Sequence, residues 1–200
     1  MIYVLCAKSS SGKDALFDYI KENYEINPSI SLTTRPIREG EINGVTYHYL
    51  NNKEFEKEIN NGNVIEYRKY NVNFKNKKDI WYYGTSSISM DLKKDNIVIL
   101  DLDGLESLIK IYGKENICSF YIDVEDKIRE ERAKKRGSFD KTEWDRRLKD
   151  DNRKFTKENI KICNYIVSNN NSIDEFMNKI DNILQKMNLK KKNKNIELEL

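Results

Sequence analysis

Long apolar segments are absent from this sequence of 200 residues, although 38% of its residues are hydrophobic. A membrane-spanning helix needs about 20 consecutive apolar residues, so no membrane partner is expected. The first six residues form an uncharged, strand-like run instead of a charged leader, which predicts a cytoplasmic location. Histidine is also scarce. The single one, His48, lies between two tyrosines without a nearby partner in sequence, so we expect it to be structural.

Cysteines are few and the net charge is low. The three cysteines, Cys6, Cys118 and Cys163, are odd in number and widely spaced, so we expect reduced, mostly buried thiols without a disulfide framework. The net charge is +3, and lysines near the C-terminus supply much of the excess. Because the rest of the chain is nearly neutral, nucleic acid is not an expected partner.

The chain does contain apolar, β-branched runs that alternate with helical patterns. The runs predict short buried strands over residues 2–6, 97–102, 117–122 and 165–168. Apolar periodicity predicts helices over residues 14–23, 104–112, 126–136, 141–159 and 173–187. Strands that alternate with helices in this way predict an α/β fold, in which helices cover both faces of a parallel sheet.

Two stretches break this alternation. Residues 31–83 hold several short strand-like pieces with turn-forming residues, which predicts an inserted, mostly β subdomain. From residue 188 onward the chain is rich in Lys and Asn and lacks a periodic apolar face. We therefore expect residues 188–200 to be a disordered basic tail.

The segment Ala7-Lys-Ser-Ser-Ser-Gly12-Lys13-Asp14 follows the first predicted strand and leads into a helix. A loop in this position can turn its N–H groups toward a polyphosphate, and Lys13 can reach the β- and γ-phosphates. It departs from G-x-x-x-x-G-K-[ST], because Ala7 replaces the first Gly and Asp14 the hydroxyl residue that meets Mg²⁺. The Asp14 carboxylate is either a hard-oxygen Mg²⁺ ligand or a residue that complements the helix dipole. An ordinary strand–turn–helix connection is the alternative for the whole segment.

Residues 31–49, S-L-T-T-R-P-I-R-E-G-E-I-N-G-V-T-Y-H-Y, closely resemble the GMP-binding signature of guanylate kinases. The strings V-I-E-Y, Y-G-T and I-L-D-L-D-G follow in the order of that family, at residues 64–67, 83–85 and 99–104. Arg35 and Arg38 are guanidinium groups three residues apart, which suits them to grip one dianionic phosphate.

The resemblance implies a three-layer P-loop NTPase fold with a parallel core sheet, an inserted NMP-binding subdomain and a helical lid. We expect one domain over residues 1–187, divided into a core of residues 1–30, 84–124 and 160–187, the NMP-binding subdomain of residues 31–83 and a lid of residues 125–159. Since guanine presents N–H donors at N1 and the 2-amino group, carboxylates are its expected readers. The GMP-binding set implied by the resemblance is Ser31, Arg35, Arg38, Glu41, Tyr47, Glu66, Tyr83, Thr85 and Asp103. For each tyrosine, packing on a small sheet is the alternative role.

The resemblance also implies an ATP side and a lid. The ATP-binding set is Ser9, Ser10, Ser11, Gly12, Lys13, Asp14, Arg132 and Asn169. Lys13 and the lid arginines Arg136 and Arg147 are the expected catalytic residues. Asp14 and Asp101 would hold Mg²⁺, directly or through water, and capping of the next helix is the alternative role for Asp103.

Residues 67–82 are longer than the corresponding loop of typical guanylate kinases. Their lysines Lys75, Lys77 and Lys78 are expected at a solvated hairpin tip, and a wider range of accepted nucleotides is the alternative. The sequence thus predicts phosphoryl transfer from Mg·ATP to GMP or dGMP by a monomer or weak homodimer. A viral-type deoxynucleoside monophosphate kinase with a different or broader base choice, and a non-catalytic guanylate-kinase-like binding module, are the alternatives.

Overall fold

A computed structural model describes residues 1–74, 77–135, 137 and 139–193. Its strands are β1 (Ile2–Ala7), β2 (Asn27–Pro28), β3 (Leu32–Thr33), β4 (His48–Tyr49), β5 (Val64–Phe74), β6 (Lys77–Ser86), β7 (Asn96–Leu100), β8 (Ile117–Asp123) and β9 (Tyr165–Ser168). Its helices are α1 (Lys13–Asn23), α2 (Asn52–Asn60), α3 (Leu102–Tyr112), α4 (Asp126–Lys135), α5 (Lys141–Lys154) and α6 (Ile173–Lys186).

The central sheet has the strand order β2-β7-β1-β8-β9, and all of its pairings are parallel. Side chains of β1 alternate between two apolar clusters, since successive strand residues point to opposite faces. Tyr3 and Leu5 pack with residues of α1 and α6, whereas Val4 and Cys6 pack with residues of α3. The sheet is therefore covered on both faces, and the predicted α/β fold is confirmed.

A second sheet, of order β4-β3-β6-β5, is built by the inserted stretch. Its β5 and β6 form a long antiparallel hairpin. The helix α2 closes one face, where Phe55 stacks on Tyr82 with ring centroids 5.1 Å apart. A side chain at Gly84 would meet Phe55, because a Cβ there would lie 2.8 Å from the Phe55 Cζ. The close packing of α2 on β6 therefore requires glycine at this position.

The helix α2 was not predicted from the sequence. Its N-terminus is a capping box, in which the Asn51 side chain accepts from the Glu54 N–H and Glu54 accepts from the Asn51 N–H. That Asn-x-x-Glu spacing precedes a helix in many sequences. The subdomain is consequently mixed, with one helix packed against four strands.

One strand and one helix end earlier than predicted. The strand predicted to end at residue 102 stops at Leu100, because the Asp101 side chain accepts from the Gly104 N–H and caps α3. The helix predicted over residues 141–159 ends at Lys154, and a short 3₁₀ turn follows at Asn159–Ile162.

The predicted disordered tail is wrong for its first residues, 188–193. Leu189 is buried, the Lys190 carbonyl accepts from the Glu25 N–H at 2.8 Å, and the Lys191 Nζ lies 2.6 Å from the Asp181 carboxylate. Apolar burial of one leucine and pairing of the lysines thus hold this segment against α1 and α6. Residues 194–200 lie outside the described part of the chain.

All three cysteines are buried and free, as predicted. Within the described ranges, no helix combines the length and apolar character needed to cross a membrane.

Candidate active site

The phosphate loop joins β1 to α1 and is shaped by two residues with positive φ. These are Ser10 at 61° and Gly12 at 91°. A Cβ at Gly12 would lie 2.9 Å from the Asn169 Nδ2, and the same amide donates to the Ser11 carbonyl at 3.0 Å. Asn169 therefore fixes the phosphate loop through this hydrogen bond. Residue 12 must be glycine, because a side chain there would collide with the Asn169 amide. The N-terminus of α1, at Lys13, borders the larger of the two clefts beside this loop. Its N–H groups and the helix dipole favour an anion there.

Lys13 and Asp14 form an ion pair at the start of α1. The Lys13 Nζ lies 3.1 Å from Asp14 Oδ2, and the Asp14 side chain is 62% exposed. A phosphate chain would compete with Asp14 for the ammonium group, since both are anionic.

A smaller cleft of about 360 Å³ lies beside the loop and is lined by Ser10, Gly12, Arg132, Lys135, Asn169 and Ile173. Arg132 NH2 donates to the Asn169 carbonyl at 2.9 Å, so the lid helix α4 contacts the segment that follows β9. The predicted ATP-side residues Arg132 and Asn169 therefore lie together, next to the phosphate loop.

Arg35 is buried and held in place by Glu41. Its NH2 and NH1 lie 2.8 and 3.0 Å from the two Glu41 oxygens, and the Tyr49 hydroxyl donates to the same carboxylate. The hydrogen bond from Arg35 lowers the pKa of Glu41 to about 2. Glu41 was predicted to meet the nucleotide, but in the structure it contacts Arg35 and orients that side chain.

The aromatic rings of the acceptor side surround Arg35. The Arg35 guanidinium carbon lies 5.7 Å from the centroid of the Tyr47 ring, which is 6.1 Å from the centroid of the Tyr83 ring. Arg38 is exposed, and it lines the larger cleft together with both tyrosines. The predicted phosphate-binding groups are therefore neighbours.

Glu66 lies at the inner end of the β5–β6 hairpin. Its Oε1 accepts from the Thr85 hydroxyl at 2.8 Å across the two strands. Burial raises the pKa of Glu66, while the Thr85 hydrogen bond and the charge of Arg68 act in the opposite direction. Asp103 is exposed at the first turn of α3 and contacts Arg68 at 3.2 Å.

The larger cleft, of about 760 Å³, brings the predicted residues of three segments together. Its lining includes Lys13 of the phosphate loop, Ser31, Arg38 and Glu66 of the acceptor side, and Arg147 of α5. Further residues of β5 continue the wall beyond Glu66, namely Arg68, Tyr70, Asn71 and Val72. The long hairpin thus extends the cleft beyond Glu66.

Two arginines of α5, in the predicted lid, line the larger cleft and pair with an acid of their own helix. The Glu143 carboxylate accepts from Arg146 and Arg147, each at 2.7 Å, and the hydrogen bond from Arg146 lowers the pKa of Glu143 to about 2. Arg136, the other predicted catalytic arginine, lies outside the described residues.

The guanylate kinase family model matches residues 1–187. The chain belongs to the guanylate kinase family. The guanylate kinase of Helicobacter pylori strain 26695 is 35% identical over 153 residues, which cover 74% of this chain and 69% of that protein. The guanylate kinase of Wolbachia pipientis wMel is 29% identical and covers 100% of this chain and 96% of its own length.

A crystal structure of guanylate kinase from Anaplasma phagocytophilum has the same fold. It superposes with a TM-score of 0.62 at 22% identity and covers 94% of this chain and 85% of that one.

Membership of the guanylate kinase family implies Mg²⁺, and the two predicted Mg²⁺ residues fit it unequally. Asp14 offers exposed hard-oxygen donors beside the phosphate loop, as Mg²⁺ prefers. The oxygens of Asp101 instead contact Arg68 at 2.9 Å and Lys154 at 3.3 Å, and Oδ1 also caps α3. The N-cap role suggested for Asp103 therefore belongs to Asp101. Among the described residues, no cluster of three or more His, Cys, Asp or Glu side chains that could hold a metal ion occurs.

Three basic residues that line the larger cleft were not predicted from the sequence, namely Arg68, Arg146 and Lys154. Arg68 is two positions after Glu66, and strand periodicity places both on one face. Arg146 adjoins the predicted Arg147, and both line the cleft. Lys154 pairs with an aspartate 53 positions away, so local sequence could not identify it.

Arg129 anchors the lid to the phosphate loop. It is 0% exposed and donates to the Ser9 carbonyl and to Asp151, each at 2.8 Å, and it also pairs with Asp126. Asp151 in turn accepts from the Ser9 N–H at 2.9 Å. The bases of α4 and α5 are thus tied to the loop by a buried charge network.

Replacement of Arg129 by Met is expected to destabilise the fold by about 3 to 5 kcal/mol, because Asp151 would remain as a buried, unpaired charge. Urea unfolding measures this loss. The control is Arg153→Met, because the 76% exposed Arg153 side chain forms a surface pair with Asp150 that contributes about 0 to 1 kcal/mol. Equal unfolding midpoints for the two variants would contradict the anchoring role.

Proposed function

We propose that this chain transfers the γ-phosphoryl group of Mg·ATP to GMP or dGMP and releases ADP with GDP or dGDP. The observation that carries the proposal is the larger cleft, which Lys13 shares with Arg38 and Glu66. Donor-side and acceptor-side groups therefore face one space, as an in-line transfer between two nucleotides requires. The family assignment supports the same activity.

On the donor side, the smaller cleft beside Arg132 and Asn169 would take the adenine, and the loop N–H groups with Lys13 would bind the phosphates. Asp14 would hold Mg²⁺, which when bound would supply positive charge to offset the negative charge that develops on the phosphates. Asp101 is left with a structural role, because its oxygens already contact two cations.

On the acceptor side, Arg35 and Arg38 would bind the GMP phosphate with help from the Tyr47 and Tyr83 hydroxyls. Glu41 supports this grip because it fixes the Arg35 guanidinium. Ser31, Glu66, Thr85 and Asp103 would surround the guanine. The Thr85 hydroxyl donates to one Glu66 oxygen, and this hydrogen bond orients the carboxylate, which lines the larger cleft.

The lid would complete the site. Phosphoryl transfer requires mainly that the attacking and leaving oxygens are aligned and that the developing negative charge is neutralised. The arginines can supply that neutralisation, and no general base is required. Arg147 must leave Glu143 to reach a phosphoryl group, and Arg146 beside it can do the same. Arg136 is retained in this role from the sequence.

The division into a core, an NMP-binding subdomain of residues 31–83 and a lid of residues 125–159 belongs to the same proposal. The second sheet with α2, and the α4–α5 hairpin, support it. We also propose a cytoplasmic monomer or weak homodimer that acts on free nucleotides. Neither alternative function gains an observation in its favour.

The direct test is a coupled assay that measures ADP release by the purified protein. We expect turnover that needs Mg²⁺, ATP and GMP or dGMP together. ADP release that is independent of the acceptor nucleotide, or no release with any nucleoside monophosphate, would reject the proposed function.

Closure around both substrates is a second expected result. Arg35, Arg38, Arg146 and Arg147 lie on segments that flank the core and carry like charges, so bound phosphates should draw them together. Small-angle scattering with a bisubstrate dinucleotide should show a smaller radius of gyration than the free protein. An unchanged radius under saturating, calorimetrically verified binding would exclude closure.

A further inference from the structure

Arg68 lies at the centre of three carboxylates beside the base pocket. Its NH1 is 3.2 Å from Glu66 Oε2, and its NH2 is 2.9 Å from Asp101 Oδ1 and 3.2 Å from Asp103 Oδ2. The side chain is 29% exposed and lines the larger cleft. One guanidinium thus joins β5 to the N-terminus of α3.

The three carboxylates would repel one another without this cation. Lys154 is the other cation that the described residues bring to the group. Of the three carboxylates it contacts Asp101, with its Nζ 3.3 Å from Oδ2, and it also pairs with Asp150 at 3.5 Å. Glu66 and Asp103 therefore depend on Arg68 for a positive partner in the described part of the chain. Both were assigned to guanine recognition above.

The protonation state of Glu66 decides which base it can bind. An ionised carboxylate accepts from the N1–H and 2-amino group of guanine, whereas a protonated one can donate to the N1 acceptor of adenine. Burial raises the pKa of Glu66, and the charges of Asp101 and Asp103 add to this effect. Thr85 and Arg68 oppose it. Of these two, only Arg68 supplies a charge.

We propose that Arg68 is a positioning residue that sets guanine selectivity, because it is the positive partner of the Glu66 and Asp103 carboxylates and fixes them between β5 and α3. The inference rests on the proposed function. Arg68 acts through the carboxylates, so its loss should change substrate choice and pH dependence more than the transfer step itself.

The test compares Arg68→Met, which keeps the aliphatic length without the charge, with Arg68→Lys, which restores a charge. Lys69→Met is the matched control, since Lys69 is exposed on the opposite face of the same strand, 5.6 Å from the Tyr82 ring centroid. Values of kcat and KM for GMP and AMP are measured between pH 5.5 and 8.5.

For Arg68→Met we expect a higher KM for GMP with little change in kcat. The acid limb of kcat/KM should move to higher pH by about one to two units, because an opposite charge at this distance shifts a carboxyl by that amount. The GMP-to-AMP ratio of kcat/KM should fall below that of the wild type as pH decreases along the acid limb, by up to about tenfold, which corresponds to about one pKa unit. Arg68→Lys should recover most of both effects, and Lys69→Met should match the wild type.

Carbon-detected NMR titration of the Glu66 carboxyl in the nucleotide-free full chain gives a readout that needs no turnover. Its pKa should rise by about one unit or more in Arg68→Met. An unchanged pKa, or tighter GMP binding by Arg68→Met, would overturn the proposal, and tighter binding would show that Arg68 competes with the base. If the pKa rises but the wild type does not use GMP, the proposed function fails and the selectivity role fails with it, while the charge effect on Glu66 is established.

Discussion

Replacement of Lys13 by Ala is expected to lower kcat by roughly 10²- to 10³-fold or more, because one positioned cation on the transferring phosphates contributes at least that much. Lys13 is held in the free protein by Asp14, 3.1 Å away, so the ammonium group is already at the mouth of the phosphate loop. A coupled assay with Mg·ATP and GMP measures the loss. Lys21→Ala is the control, since Lys21 lies on the same helix and its ammonium group pairs with the exposed Asp18.

Asp14→Ser separates an active loop from a degenerate one. A hydroxyl restores the usual Mg²⁺ contact of a phosphate loop, so this variant should retain activity. If the wild type transfers no phosphoryl group to any nucleotide and Asp14→Ser does, then Asp14 has inactivated the loop, and the non-catalytic binding module becomes the better description.

The second large effect concerns base choice. GMP and dGMP are expected to exceed AMP, CMP and UMP in kcat/KM by at least ~100-fold, which corresponds to about 2.7 kcal/mol. The reason is that the Glu66 carboxylate is largely buried and would face the N1 lone pair of adenine without a hydrogen bond. Initial rates across the common ribonucleoside and deoxynucleoside monophosphates give the ratios.

Glu66→Gln tests the residue behind that ratio. The amide keeps the shape but turns one acceptor into a donor, so activity on GMP should fall far more than activity on the other nucleotides. Glu106→Gln is the control, because Glu106 is an exposed carboxylate on α3. Comparable wild-type rates on AMP or TMP, or an unaltered preference in Glu66→Gln, would favour the deoxynucleotide kinase of broader base choice.

Features that depend on neighbours in sequence could be predicted. The path from β1 through the phosphate loop to α1 follows from an apolar run, Gly12 and a helical pattern. Arg35 and Arg38 are recognisable because they share one short segment. The strand at Tyr165–Ser168 was predicted with its observed bounds, since its apolar residues are flanked by polar ones.

Features that depend on contacts between residues far apart in the sequence could not be predicted. Arg68 contacts residues 33 and 35 positions away, and nothing in its local sequence identifies those partners. The same holds for the lysines that dock the segment after α6, whose partners lie on α1 and α6. Asp101 was assigned to Mg²⁺ because it ends a buried strand, but a strand end does not reveal the two cations that converge on it.

The buried Arg129 network has a mechanical consequence for turnover. It fixes the start of α4 and the end of α5, near Asp151, so those ends stay with the phosphate loop while the opposite ends can swing. The 14 residues of α5 span about 21 Å, so each 10° of rotation about its C-terminal end moves its N-terminal end by about 4 Å. Arg146 and Arg147 lie only four to five residues from Asp151, about 6 to 8 Å along the helix, so the same rotation moves them by about 1 Å. The proposed closure can therefore keep these arginines near the fixed base of α5 and leave the costly buried charge pair intact.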